Sequence, residues 1–220
     1  MAKEDKQNIT VFIFSLAGIL ILVLVNKIFE LLWPGMSIDE SRNIMIKIFM
    51  VISTIIAGIL VLCKKLSFSI ECFKISKECN VKREIIEAVA VVLIFSAALI
   101  GYRLYLNTKD PVLAAKPLFS LYLTRNLRWA YPLVALWQEL LVKPLWQDNV
   151  KTALGGRKWL TLIYIGLLFG ILHMNYPIYM VLGAGVMCFV TGILYERDRN
   201  IWGVWFMHFC FGFLPTSFVL

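Results

Sequence analysis

The stretch "WQELLVKPLW" (137–146) sets Gln138, Glu139 and Lys143 inside an otherwise apolar segment. A charged group near the centre of a bilayer costs about 3 kcal/mol even on insertion scales, so such residues face a protein interior or a wet cavity. Glu139 and Lys143 stand at i and i+4 with the acid first, the order that favours a pair on one helical face. The chain holds two histidines, His173 in "LLFGILHMN" and His208 in "WGVWFMHFCFG", both in apolar segments downstream of Glu139. A carboxylate and two imidazoles from different segments can hold a water molecule or a metal ion between helices. The carboxylate then acts as base, and the imidazoles as donors, acceptors or ligands. Taken singly, each group has a plainer reading. A buried Glu–Lys pair can be a neutralised couple, and a lone histidine is most often a satisfied core residue. Their gathering in one half of the chain favours chemistry.

The elements that must position these groups are read from composition. The chain has 220 residues, is 60% hydrophobic and has a mean hydropathy of +0.78. A soluble domain is usually about half apolar. Apolar windows at 9–33, 44–63, 85–105, 128–147, 158–174, 177–195 and 201–219 are each long enough, or nearly so, to cross ~30 Å of hydrocarbon as a helix. The expected fold is all-α, a polytopic helical membrane bundle of about seven transmembrane helices with a polar cavity in its C-terminal half. The first window lacks the small-residue cleavage site of a signal peptide and is expected to be a retained span. Residues 1–105 are expected to form N-terminal transmembrane helices with a basic loop, and 106–220 the core that carries the polar residues. Between them "LNTKDPVLAAKPLFSLYLTRNLRWAYP" (106–132) is interrupted by Pro111 and Pro117, which predicts an interfacial helix or a re-entrant lid. Gly166, Gly170, Gly183 and Gly185 are candidate close-packing positions.

The formal charge of +8 does not indicate nucleic acid. The basic residues flank apolar spans, where attraction to anionic lipid headgroups explains them. Lys3, Lys6, Lys64, Lys65, Lys74, Lys77, Lys82, Arg83, Lys151, Arg157, Lys158, Arg197 and Arg199 fall on one side if the N-terminus is cytoplasmic. A multi-pass cell-membrane protein with a cytoplasmic N-terminus is therefore expected. The five cysteines form no Cys-x-x-Cys pair and no zinc or disulfide framework, so free thiols are expected. A proton-coupled transporter fits less well, because the chain has no inverted repeat.

"QELLVK", then "FGILH", then a third helix bearing a histidine resemble the CAAX-protease and bacteriocin-processing (CPBP, Abi) family of intramembrane endopeptidases. The family pattern is Glu-Glu-x-x-x-Arg, Phe-x-x-x-His and His-x-x-x-Asn or Asp, and the resemblance covers about residues 128–215. It implies catalytic roles for Glu139, His173 and His208, with Gln138, Lys143, Phe169 and Gly212 in supporting positions. Gln138 replaces the first glutamate, which in the family activates water, and an amide cannot take that proton. Lys143 replaces the arginine and loses its planar fork, while Gly212 replaces the final Asn or Asp. Asn175 or Thr216 would be substitute donors.

The implied function is a glutamate-type endopeptidase acting on membrane-associated or lipidated peptides or leader peptides, with catalysis open to loss at Gln138 and Gly212. The alternative is a non-catalytic member acting in bacteriocin self-immunity or regulating a membrane partner. The partners expected are the lipid bilayer and a membrane-associated peptide or protein, and not nucleic acid. No cofactor is expected. A divalent metal stays open, although the His-Glu-x-x-His motif of zinc peptidases is absent.

Overall fold

A run of apolar residues without charge leaves the backbone one way to satisfy its own hydrogen bonds in lipid, the helix. The computed structural model describes residues 3–33, 38–75, 79–120, 125–176 and 178–218, and among these it contains helices, turns and no strand. In chain order the helices are α1 (Lys3–Leu32), α2 (Ile38–Leu62), α3 (Val81–Asn107), α4 (Pro111–Ala114), α5 (Arg125–Leu140), α6 (Asp148–Ala153), α7 (Lys158–Ile171), α8 (Ile178–Asp198) and α9 (Trp202–Ser217). A 3-10 turn, Ile70–Phe73, precedes α3, and a π-helical segment, Leu141–Gln147, lies between α5 and α6. Among the described residues every apolar window of the sequence lies mainly on a helix, as an all-helical membrane bundle requires. Among the described residues, Ile9–Phe29, Val81–Asn107 and Ile178–Asp198 are long and apolar enough to cross a membrane, and Lys47–Leu62 and Lys158–Ile171 are shorter apolar helices. Leu16, Leu24, Leu93, Ile94, Leu182 and Val186 project outward, which water penalises and lipid tails accept. The chain is an integral membrane protein.

The chain divides into two compact units, Met1–Ser69 with Leu141–Val190, and Ile70–Leu140 with Thr191–Leu220. In the first unit α1 packs against α2 and α6. The Trp146 indole N–H donates to Ser15 Oγ at 2.7 Å, and Ser15 Oγ donates in turn to the Val11 carbonyl. The chain leaving α2 is fastened to α6 by a reciprocal pair: Ser67 N–H donates to Asn149 Oδ1 at 2.9 Å, and Asn149 Nδ2 donates to the Ser67 carbonyl at 2.7 Å. Gly155 and Gly156, both at positive φ, end α6 and turn the chain into α7. Where α7 meets α8, a Cβ on Gly166 or on Gly170 would stand 3.0 Å from the carbonyl of Gly185 or of Val181, and a Cβ on Gly185 would stand 3.0 Å from that of Gly166. Three of the four glycines expected at a helix contact are there; around Gly183 nothing lies within 4 Å.

In the second unit α9 packs against α3 and α5. Cys72, Ala88, Tyr195, Ile201, Val204 and Met207 form its buried core, with Leu136 and Phe211 packed on it. The Phe95 and Phe211 rings lie 4.2 Å apart. Glu84 accepts from the Gly203 N–H at 3.2 Å, which puts a carboxylate at the first turn of α9 where the helix dipole favours it. Arg83 bridges to Asp198 at 2.8 Å, and Arg197 holds both Asp198 and Glu87. The fully buried Arg103 donates from Nη2 to the Leu113 carbonyl at 2.7 Å and the Lys116 carbonyl at 3.4 Å. Ser120 N–H donates to the Ser217 carbonyl at 2.7 Å. The segment expected to be an interfacial helix or lid thus contains the single turn α4, capped by Asp110, and a non-helical stretch tied to the end of α9. Residues 121–124 of that segment lie outside those described.

The five cysteines are free thiols, as their spacing suggested. Cys79 Sγ donates to Glu84 at 3.4 Å; burial first, then that hydrogen bond and charge, push its thiol up to about 11. Below that pKa the thiol is protonated. At pH 8 a maleimide is therefore expected to label the exposed Cys63 rapidly and Cys79 slowly. Glu84→Gln, which removes the negative charge, is expected to speed the labelling of Cys79 measured by mass spectrometry. At the glycine contact, Gly185→Ala is expected to cost about 1–3 kcal/mol by overpacking, seen as a lower Tm in detergent, while Gly183→Ala leaves Tm unchanged or raises it.

Candidate active site

Glu139 lies in the last turn of α5, four residues after Ala135, and both are buried. Its Oε1 lies 2.7 Å from Nδ1 of His208 on α9, and the two side chains are 2% and 5% exposed. A carboxylate accepts here, so the Nδ1 proton of His208 points at Glu139 and the imidazole lone pair resides on Nε2. A charge-assisted bond of this length away from water fixes the plane of the ring. The pair belongs wholly to the second unit.

Pairing these residues depends on the register of α5 against α9. Trp205 donates from Nε1 to the Pro132 carbonyl at 2.8 Å, and Tyr131 and Phe209 face each other with ring centroids 6.1 Å apart. Leu136 and Leu140 pack on the core that holds Val204 and Met207. These contacts alternate with the Glu139–His208 pair along the same two helices. Gln138 is half-buried on α5. Gly212 lies on α9 one turn after His208, and a Cβ there would stand 1.5 Å from Tyr131 Oη.

The other motif residues belong to the first unit. Lys143 is completely buried and donates from Nζ to the Cys188 carbonyl at 2.9 Å, with Cys188 Sγ at 3.6 Å. It lies in the π-helical segment with Pro144, whose ring removes an amide donor from the helix interior. A wider turn accommodates that missing bond, and such π-bulges recur at functional sites. His173 follows the last turn of α7. Its Nδ1 donates to the Phe169 carbonyl at 2.8 Å, which assigns the proton to Nδ1 and the lone pair to Nε2. The Phe169 ring is buried with its centroid 4.6 Å from that of His173, so the aromatic of the second motif steadies the imidazole by contact as well as by its carbonyl. Asn175 is engaged by Asn26: each amide donates to the other's oxygen, at 2.7 and 3.1 Å. That employment takes it out of the donor role suggested by sequence. The side chain of Thr216 lies outside those described.

Among the described residues no group of three or more His, Cys, Asp or Glu side chains is placed to hold a metal ion. What the second unit does hold is a buried carboxylate–histidine pair.

Residues 120–214 match the family model described as type II CAAX prenyl endopeptidase Rce1-like. That segment of the chain is similar to a CAAX-type prenyl endopeptidase. The matched segment contains both elements of the dyad, all of α7 and α8, and each of the motif positions. No curated protein and no solved structure matches the chain. The apolar helices and the matched segment together describe an integral membrane protein with a CAAX-protease-like segment.

The dyad is testable without any substrate. Removing one partner of a buried hydrogen-bonded pair leaves the other unsatisfied. A double-mutant cycle of Glu139→Gln and His208→Ala, read by thermal or denaturant unfolding in detergent, is expected to give a coupling energy of about 1.5–3 kcal/mol. Additive single variants would show that the contact carries no weight in the folded protein.

Proposed function

We propose that this protein is an intramembrane endopeptidase acting on membrane-tethered, lipidated peptides, with His208 as general base and Glu139 as the carboxylate that orients it. The observation that carries the reading is the 2.7 Å hydrogen bond between two buried side chains from α5 and α9. It supplies a base without Gln138. The Nε2 of His208 takes a proton from water, and the resulting hydroxide attacks the scissile carbonyl. The tetrahedral intermediate then expels the amine, which receives the proton back from His208. Glu139 stays ionised throughout and stabilises the imidazolium. His173 enters the proposal on the strength of the motif, with its tautomer fixed by the Phe169 carbonyl. Lipidated peptides follow from the family description of the matched segment. The basic residues at the start of α3 and the end of α8 favour a cytoplasmic N-terminus in the cell membrane.

A second reading is a non-catalytic member that binds a membrane partner, as in self-immunity to a bacteriocin or regulation of a membrane protein. Gln138 favours it, because the position that holds the family's water-activating glutamate carries an amide.

The two readings part in a cleavage assay on the full chain in proteoliposomes, using an S-farnesylated peptide ending in a CAAX sequence. The proposal expects product from the natural protein and a rate about 10²–10⁴-fold lower in Glu139→Ala and in His208→Ala. Cleavage that appears only in Gln138→Glu would favour the second reading. Histidine variants as active as the natural protein would end the first.

A further inference from the structure

Arg103 is completely buried, yet its guanidinium is only partly employed. Nη2 donates to the Leu113 and Lys116 carbonyls, at 2.7 and 3.4 Å, while Nε and Nη1 are buried with no hydrogen-bond partner. Among the described residues no carboxylate forms an ion pair with it. Asn107, one turn further along the same face of α3, has a buried Oδ1 that also lacks a partner. A guanidinium is a cation with five N–H donors and no acceptor, and buried charges in proteins are paired as a rule. What satisfies several N–H groups and a positive charge together is an oxyanion.

The place of Arg103 along α3 selects the anion. Val81–Asn107 is long and apolar enough to cross a membrane. Its first turns carry Arg83, Glu84 and Glu87, which meet Asp198, the Gly203 amide and Arg197. Arg103 follows Arg83 by 20 residues, about 30 Å at ~1.5 Å per residue, which is the thickness of the hydrocarbon core. With the first cluster in one headgroup layer, Arg103 reaches the other, where lipid phosphates lie. The cover over it is thin. Pro111, Val112, Ala114, Ala115 and Lys116 are exposed on the segment whose Leu113 and Lys116 carbonyls hold Nη2. That segment is a single helical turn capped by Asp110, followed by non-helical chain. Displacing this one layer opens Nε and Nη1 to the headgroup region, and Lys116 on the same layer supplies a second cation.

We propose that Arg103 is an anion site at the end of α3 that takes a phosphate group, with Lys116 as second cation. Asn107 joins them as an amide donor after a half-turn of its side chain, which brings Nδ2 to the position of Oδ1. A lipid phosphodiester and free phosphate share this chemistry, and the depth of Arg103 favours the lipid. The planar guanidinium meets two phosphate oxygens in parallel, which an ammonium cannot do. Binding pairs the buried charge, so the anion stabilises the folded chain by mass action. Phosphate binding here does not depend on hydrolysis at the Glu139–His208 pair.

The test follows the Tm of the full chain, delipidated in a neutral detergent, as three probes are titrated separately: a short-chain phosphatidylglycerol, inorganic phosphate, and a diacylglycerol of the same chain length. Tm is expected to rise saturably with phosphatidylglycerol and to ignore diacylglycerol. A rise with the lipid alone assigns the site to a headgroup, and an equal rise with inorganic phosphate assigns it to free phosphate. Arg103→Gln keeps an amide donor for the Leu113 carbonyl and removes the charge. It is expected to raise the half-saturating concentration at least about 10-fold. Lys116→Gln, a change at an exposed side chain, is expected to raise it about fivefold. No rise with either phosphate probe, or an equal rise with diacylglycerol, overturns the site. Natural half-saturation in Arg103→Gln overturns it too. If Arg103→Gln does not fold, Arg103→Lys and Lys116→Gln decide, and natural half-saturation in both overturns the site.

Discussion

The hydrogen bond between Glu139 and His208 is the constraint to which the second unit is built. A carboxylate that is 2% exposed in an apolar bundle is tolerable only if a partner meets it, and the partner must come from another helix at the right height. That fixes α5 against α9 to within the tolerance of a 2.7 Å contact. The surrounding contacts can be understood as what makes so strict a match possible. Trp205 bonding to the Pro132 carbonyl sets the register one turn away, and the Phe95–Phe211 contact seats the other face of α9 on α3. At the start of α9, Glu84 satisfies the Gly203 amide, and Arg83 and Arg197 converge on Asp198 just before it. Apolar packing alone would let these helices slide by fractions of a turn. Polar bonds at several heights along α9 do not.

The first unit solves a different problem, the burial of a lysine. Lys143 is wholly enclosed, and its Nζ finds the Cys188 carbonyl, an oxygen already inside α8 that has a second lone pair to give. The close approach of α7 and α8 at Gly166, Gly170 and Gly185 follows the membrane rule that helices bind through small residues when lipid offers no hydrophobic force between them. Neither feature requires the chain to be soluble or to bury a large apolar core.

Much of this was legible in the sequence, and the parts that were not share a cause. Helix positions follow from apolar windows because backbone satisfaction in lipid leaves no other choice. Glu139 and His208 stand out because charged or titratable groups are rare in such windows. What they would touch is not local information: Lys143 reads as the i+4 partner of Glu139, yet the oxygen it is seen to reach belongs to Cys188, 45 residues later. Pro144 hints at an irregular helix, but the choice of a π turn depends on its neighbours. Asn175 reads as a spare donor until Asn26, 149 residues earlier, is found to employ it. Tyr131 reads only as an aromatic at the start of a span. The signal that could have found it is Gly212, a glycine where a polar side chain is expected, since a vacancy of that size on a packed helix must be filled from somewhere.

The departures at Gln138 and Gly212 are therefore not equivalent. At Gly212 the tip of the Tyr131 phenol from α5 occupies the volume that a side chain on α9 would take, so the glycine is explained by packing. At position 138 an amide replaces a carboxylate, and no rotation of that side chain restores a proton acceptor of the right strength. Whether the site turns over then depends on whether a base exists that does not need residue 138. The geometry at His208 supports the proposal that it is such a base. Its Nδ1 is bound to a buried carboxylate, and its basic nitrogen is left on the far side of the ring. What the fold supplies is orientation: the contact with Glu139 fixes the plane of the ring, and with it the direction in which Nε2 faces.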